Sequence, residues 1–161
     1  MAMDVVNCHA VRNGNGVVSG AVKQIDFIAP GIFTVDASGH GLAAAVVLRI
    51  KADGTQVYEP MASYDTTQNK MVAVPIDLGP LSDQVYLLCF GTGFRYGDLE
   101  GAEAMIGGLD SPVTFTGAQG NFAGLDQANI RLPRALAGKG EAGLIFSPDG
   151  RPANTVKIRI K

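Results

Sequence analysis

Few places in the 161-residue chain bring together residue types able to do chemistry. Asp36, Ser38 and His40 fall within the stretch DASGHG and supply the side chains of a nucleophile, a base and an orienting acid. A working set of that kind takes its members from separate elements, each held rigid so that the three point at one another. Neighbouring residues of one turn do not offer that geometry, so DASGHG reads as a loop. Gly91-Thr92-Gly93 has the outline of a phosphate-binding G-x-G. It lacks the third glycine and the following helix whose N–H groups would face a phosphate. Asp126, in GLDQ, has the amides Gln127 and Asn129 as neighbours rather than an acid–base partner. Its expected role, or that of Gln127, is a hydrogen bond to turn backbone.

Metal and redox chemistry find little support. Cys8 and Cys89 are distant in sequence and stand outside any C-x-x-C pattern, and His9 and His40 complete no regular ligand spacing, so zinc is not expected. Cys89 reads as a buried, inert thiol. A Cys8–Cys89 disulfide requires the first strand to lie beside residues 85–90, which the sequence leaves open. Asp36, Asp53, Asp65, Asp77, Asp98 and Asp149 fall in turns, and no single loop alternates acidic positions as a calcium loop does. The expectation is no catalytic residue, no metal and no cofactor.

What remains is a surface. Phe94, Arg95 and Tyr96 follow an apolar run, and Phe122 lies in a second loop. Aromatic and guanidinium groups dominate binding energy at interfaces, so these four residues form the candidate contact patch if their loops share one end of the fold. The alternative is that the aromatics fold back over the core edge.

The elements that must position these residues are short strands. With 47% hydrophobic residues, 21 Gly, 8 Pro and only 17% charged residues, the chain suits a turn-rich β protein better than a helical bundle. A net charge of −2, with no basic block, gives no reason to expect nucleic acid. The longest apolar run, residues 42–48, is far short of a membrane span, so no membrane insertion is expected. The first residues, MAMDVVNCHAVRNGNG, have neither the basic nor the apolar segment of a signal peptide. An intracellular protein and a mature or excised segment of an exported one both remain open.

Strands are expected at residues 5–11, 17–28, 32–35, 43–51, 55–59, 71–76, 85–90, 102–106, 113–116, 126–132, 141–147 and 155–160. Asn-Gly repeats at residues 13–16 and Asp53-Gly54 mark hairpin turns, and Pro30-Gly31 suits a type II turn. Residues 64–69 and 77–83 read as loops, 133–137 as a single helical turn, and 85–90 as a central strand covered on both faces. The expected architecture is an all-β antiparallel sandwich (residues 29–161) with an N-terminal hairpin extension (residues 1–28).

From Ala29 onward, APGIFTVDASGHG, AAVVLRIKADGTQVYEP, VPIDLGPLSDQVYLLCFGTG, then IGG, FTGAQGNFAGLDQANIRLP and ANTVKIRIK follow in order. In that combination the chain resembles the uncharacterised C-terminal domain, named after Solibacter, of large secreted acidobacterial proteins. The resemblance implies an immunoglobulin-like fold, an extracytoplasmic location and a non-enzymatic structural, display or adhesion role, with no catalytic residues to carry over. Two other roles stay open. One is a self-assembling, fibre-like subunit whose N-terminal strands add to a neighbour's sheet edge. The other is a module binding a glycan or small ligand through its aromatic loops; a protein partner is equally compatible with the patch.

Overall fold

The computed structural model describes the backbone of residues 5–12, 14–16 and 18–161, and the side chains of residues 14–16 and 26–161. The strands, in chain order, are β1 (Val5–Arg12), β2 (Val18–Ile25), β3 (Gly31–Ile32), β4 (Ala45–Ile50), β5 (Gln56–Pro60), β6 (Ala62–Asp65) and β7 (Lys70–Ala73). They continue with β8 (Gln84–Thr92), β9 (Glu103–Ile106), β10 (Leu109–Asp110), β11 (Val113–Ala118), β12 (Asp126–Arg131), β13 (Gly140–Ser147) and β14 (Val156–Ile160). Single 3-10 turns at Arg134–Leu136 and Pro148–Gly150 are the helical content among the described residues.

Two antiparallel sheets face each other. The larger runs β11-β12-β8-β4-β5, with β3 added beside the end of β8, and the smaller runs β10-β9-β13-β14. Alternation in sequence becomes alternation in burial. On β14, Val156, Ile158 and Ile160 point inward while Lys157 and Arg159 face solvent, and β13 does the same with Ala142, Leu144 and Phe146. Opposite them stand Val47, Leu87, Cys89, Ala128 and Ile130, and all belong to one continuous core. The chain is an all-β antiparallel sandwich.

The sheets are stitched along one side by β14. Its outer edge is occupied by the segment before β4: the Ala43 N–H donates to the Lys157 carbonyl and the Lys157 N–H to the Gly41 carbonyl, each at 2.9 Å. Further along, the Ile76 N–H donates to the Arg159 carbonyl and the Lys161 N–H to the Ile76 carbonyl. Both junctions are parallel bridges, unlike the antiparallel ladders elsewhere. Residues 71–76 therefore do not form the single strand expected. β7 stops at Ala73 because Ile76 is drawn across to the other sheet.

Other expectations also change. Residues 64–69 do not form a loop alone: β6 and β7 pair from Ala62↔Ala73 to Asp65↔Lys70, a hairpin hidden by the polar run across its turn. Gly31 does not take the positive φ of a type II turn but extends into β3, opposite Thr92. The central strand β8 is longer than expected, and Leu88, on its outer side, is only 8% exposed. β1 and β2 pair with each other from Val5↔Ile25 to Arg12↔Val18. Asn13, in the turn between them, lies outside the described residues.

Two arginines hold the far end. Arg49, on the core face of β4 and 8% exposed, takes Glu59 in a two-pronged pair at 2.6 and 3.1 Å and donates to the Asp77 carbonyl at 2.6 Å. The Glu59 hydrogen bond raises the Arg49 pKa against the opposing effect of burial. Arg134 donates to the carbonyls of Leu78, Gly79, Pro80 and Asp83, so loop 77–83 wraps its guanidinium. Lys161 closes the loop by donating to Asp77 at 2.8 Å.

Two predictions follow from these contacts. Gly93 has φ +81°, and a Cβ there would run into the Ala29 carbonyl. Gly93→Ala is expected to lower unfolding stability by about 2–3 kcal/mol in urea titration, combining strain and overpacking. An unchanged midpoint would show that the segment around Ala29 is not seated there. The second concerns acid. Asp77 is held low by Lys161, Asp36 by Ser38, Asp53 by the Thr55 amide, Asp65 by the Gln68 amide and Glu141 by Lys157. A carboxylate lowered by folding stabilises above its unfolded value, ordinarily 3.8 for Asp and 4.5 for Glu, and that stability is lost as pH falls through the folded value. The thermal midpoint should therefore fall as pH drops below the ordinary carboxylate range, less steeply at high salt and in Asp77→Asn. A midpoint flat through that range contradicts this account.

Candidate functional site

The register Asp126↔Gly91 places the start of β12 beside the end of β8. The loop after β8, the loop between β11 and β12, and the Pro148–Gly150 turn after β13 therefore share one pole of the sandwich. Asp126 organises it. The side chain is fully buried, and its Oδ2 accepts from the N–H groups of Phe94 at 2.9 Å and Arg95 at 3.1 Å. Its Oδ1 accepts from Arg95 Nε at 2.7 Å, and Arg95 Nη2 reaches the Leu125 carbonyl at 3.3 Å. Asp126 thus binds loop backbone, but 31 and 32 residues away rather than in its own turn. Every donor it meets serves to hold the loop, which leaves no acid–base partner.

The consequence for the expected patch is a division. Phe94 is not on the surface: its ring is fully buried and meets Phe146 edge-on at 5.2 Å. The two backbone bonds to Asp126 turn it inward, and the core gains an aromatic pair worth about 0.5–1.5 kcal/mol beyond its burial. Arg95 is committed to Asp126, with 28% of its side chain exposed. Tyr96 and Phe122 do face solvent, at 70% and 69% exposure. Phe27, which sequence reading did not single out, meets Tyr96 edge-on with centroids 6.3 Å apart.

That third aromatic is held by the segment that enters the sandwich. Arg151 pairs with Asp26 at 3.0 Å and donates to the Ile28 carbonyl at 3.1 Å, and the Ala29 N–H donates to the Gly93 carbonyl. The glycines of GTG explain themselves here. Side chains at Gly91 and Gly93 would strike the carbonyls of Gly31 and Ala29, so this is a close-approach site for backbone and not a phosphate loop. Asn154 completes it. Its amide accepts from the Ile32 N–H at 2.8 Å and donates to the Ile32 carbonyl at 2.9 Å and the Gly39 carbonyl at 2.6 Å, standing in for a missing strand beside β3.

The Asp36–Ser38–His40 loop holds itself. Ser38 Oγ donates to Asp36 Oδ1 at 2.8 Å, the Ser38 N–H donates to the same oxygen at 3.1 Å, and the His40 N–H donates to Ser38 Oγ at 3.2 Å. The hydroxyl proton thus goes to the carboxylate, and it is the backbone of His40 that meets the hydroxyl. Cys89 is a free, buried thiol whose pKa burial pushes up to about 12, far from a reactive thiolate. Among the described residues no three His, Cys, Asp or Glu side chains are placed to hold a metal ion, and no helix is long and apolar enough to cross a membrane.

Open clefts lie elsewhere. One of about 550 Å³ adjoins β3 and is lined by Ile32, Phe33, Thr34 and Ala44 among others. A second, of about 500 Å³, has Lys70, Met71, Glu141, Lys157 and Arg159 on its walls. Lys157 and Glu141 are paired there at 2.8 Å, so much of the charge is already answered. No family model, curated protein or solved structure matches the chain.

Removing the Asp126 carboxylate tests this construction. Asp126→Ala would leave two loop N–H groups and Arg95 Nε without their acceptor, at a cost of about 3–5 kcal/mol in chemical denaturation. Tyr96→Ala, which removes only an exposed ring, should cost less than about 1 kcal/mol. Equal losses from the two changes would show that Asp126 does not hold the pole.

Proposed function

We propose that the chain is a non-enzymatic recognition and support module, an immunoglobulin-like sandwich that binds a protein or glycan through the aromatic pole formed by Phe27, Tyr96 and Phe122. The observation that carries this reading is exposed apolar area on a preorganised frame. Tyr96 and Phe122 are the most exposed aromatic side chains described, and the loops beneath them are fixed by Asp126, Arg95 and Arg151. Aromatic anchors on a rigid frame lose little entropy on binding and so contribute most of their contact area to affinity.

The commitment of Asp126, Ser38 and Cys89 to structural roles supports a binding rather than a catalytic reading. The resemblance to the Solibacter-type C-terminal domain supports an extracytoplasmic display or adhesion setting. Arrayed glycans and intact cells of the native host, probed with labelled full-length chain, provide the test. Saturable binding is expected, weakened at least about tenfold by Tyr96→Ala combined with Phe122→Ala at unchanged melting temperature. No saturable binding, or binding indifferent to both changes, overturns the reading.

A further inference from the structure

We infer that the β1–β2 hairpin is a self-association element, and that two copies of the chain join by antiparallel pairing of β1 with β1 of the second copy. This is independent of what the aromatic pole binds.

The argument begins with sheet edges, whose unpaired N–H and C=O groups invite another strand unless something prevents it. In the sandwich each edge is occupied or guarded by an identifiable device. β5 ends in Pro60 and turns Glu59 toward Arg49. β11 follows Pro112 and breaks register between Val113 and Phe115. β10 is two residues long and leads into Ser111-Pro112. The outer edge of β14 is taken by Gly41, Ala43 and Ile76. The small β6–β7 hairpin has four residues per strand and places Asp65 opposite Lys70 at its end.

The β1–β2 hairpin differs in each respect. Its ladder runs through eight residue pairs, from Val5↔Ile25 to Arg12↔Val18, and among the described residues neither strand pairs with any other. A lone two-stranded ladder is marginal in water, and further strands stabilise it. The two outer edges are not equivalent. β2 carries Gly20, which weakens a strand, and Lys23, a residue type that guards edges. β1, VVNCHAVR, contains no Gly, Pro or Lys, and its single charge, Arg12, is terminal. β1 is the unguarded edge.

A second copy fits that edge because an antiparallel strand edge is complementary to itself about a two-fold axis. Because the axis sets one residue opposite its own copy, the pairing centres on His9, which stands opposite His9 of the second copy, with Arg12 opposite Val6. The two Arg12 residues then lie at opposite ends of the joint, about 20 Å apart at about 3.4 Å per residue. That exceeds the screening length of about 8 Å at physiological salt, so their repulsion is negligible. The sheet would be four-stranded, β2-β1-β1-β2, and such an isologous joint closes at two copies. A fibre built by strand addition would need an unguarded acceptor edge on the sandwich, and the edges there are occupied or guarded.

Analytical ultracentrifugation of the full-length chain over a concentration series tests this, with hydrogen exchange as a second readout. Expected is a monomer–dimer equilibrium in which the outward-facing β1 amides gain protection as concentration rises and the outward-facing β2 amides do not. Cys8→Lys with His9→Lys sets four lysines around the axis and should weaken the dimer at least tenfold. Ser19→Lys with Gln24→Lys, on the outer strand, should leave it intact. Circular dichroism and the melting temperature verify that the sandwich is folded in both variants. A chain monomeric throughout, a dimer indifferent to the β1 pair, or a dimer weakened equally by the β2 pair overturns the inference.

Discussion

Asp126 has no access to water, so its charge must be answered inside the protein, and the donors that answer it shape one whole pole of the sandwich. Two of them are backbone N–H groups on the loop after β8, and the third is the Arg95 side chain on the same loop. Satisfying the carboxylate fixes the direction of that loop. Phe94 then has to enter the core, Tyr96 has to leave it, and the end of β8 is held where residues 29–31 can pair with it. A hydrogen bond to a charged group contributes about 1.5–3 kcal/mol, so three on one residue outweigh any single apolar contact nearby.

The rest of the molecule uses the same principle with other side chains. Where a short strand or an irregular loop leaves backbone groups unpaired, a long polar side chain from a distant segment supplies the partner. Asn154 serves β3 in this way, and Arg134 serves loop 77–83. Arg49 is the least economical case, since a buried guanidinium must be fully paired before it contributes anything. Glu59, the Asp77 carbonyl and Asp83 between them do that. Irregular β proteins with many short strands depend on such links because each strand forms few ladder bonds of its own.

The strands were legible from alternation, and the all-β antiparallel sandwich with them, because burial on one face of a sheet writes a period of two into the residues. β13 and β14 are the clearest cases. The β6–β7 hairpin was missed because its turn and the ends of both strands fall in the polar run YDTTQNK, which carries no alternation. Phe94 and Tyr96 could not be sorted, since a loop has no period and the deciding residue, Asp126, lies about thirty positions away. Phe27 gave no signal, because what pairs it with Tyr96 is the anchoring by Arg151 from the other end of the chain. The role of Asn154 was equally silent: a single amide carries no pattern. Only the glycines of GTG hinted at close approach, and they were weighed as a ligand loop instead.

The parallel bridges along β14 have a bearing on how the chain is made. On the ribosome, residues 41–43 and 76 emerge long before residues 156–160, to which both are joined. Asn154, the partner of Ile32, also arrives 122 positions late. Until then the larger sheet stands with its inner face open to water, and β3 has a ladder on one side only. Contacts of such separation carry a large loop-closure cost and slow the folding of β-rich chains. Closure of this sandwich is therefore a late event in its folding, in which β14 acts as the fastener for segments translated well before it.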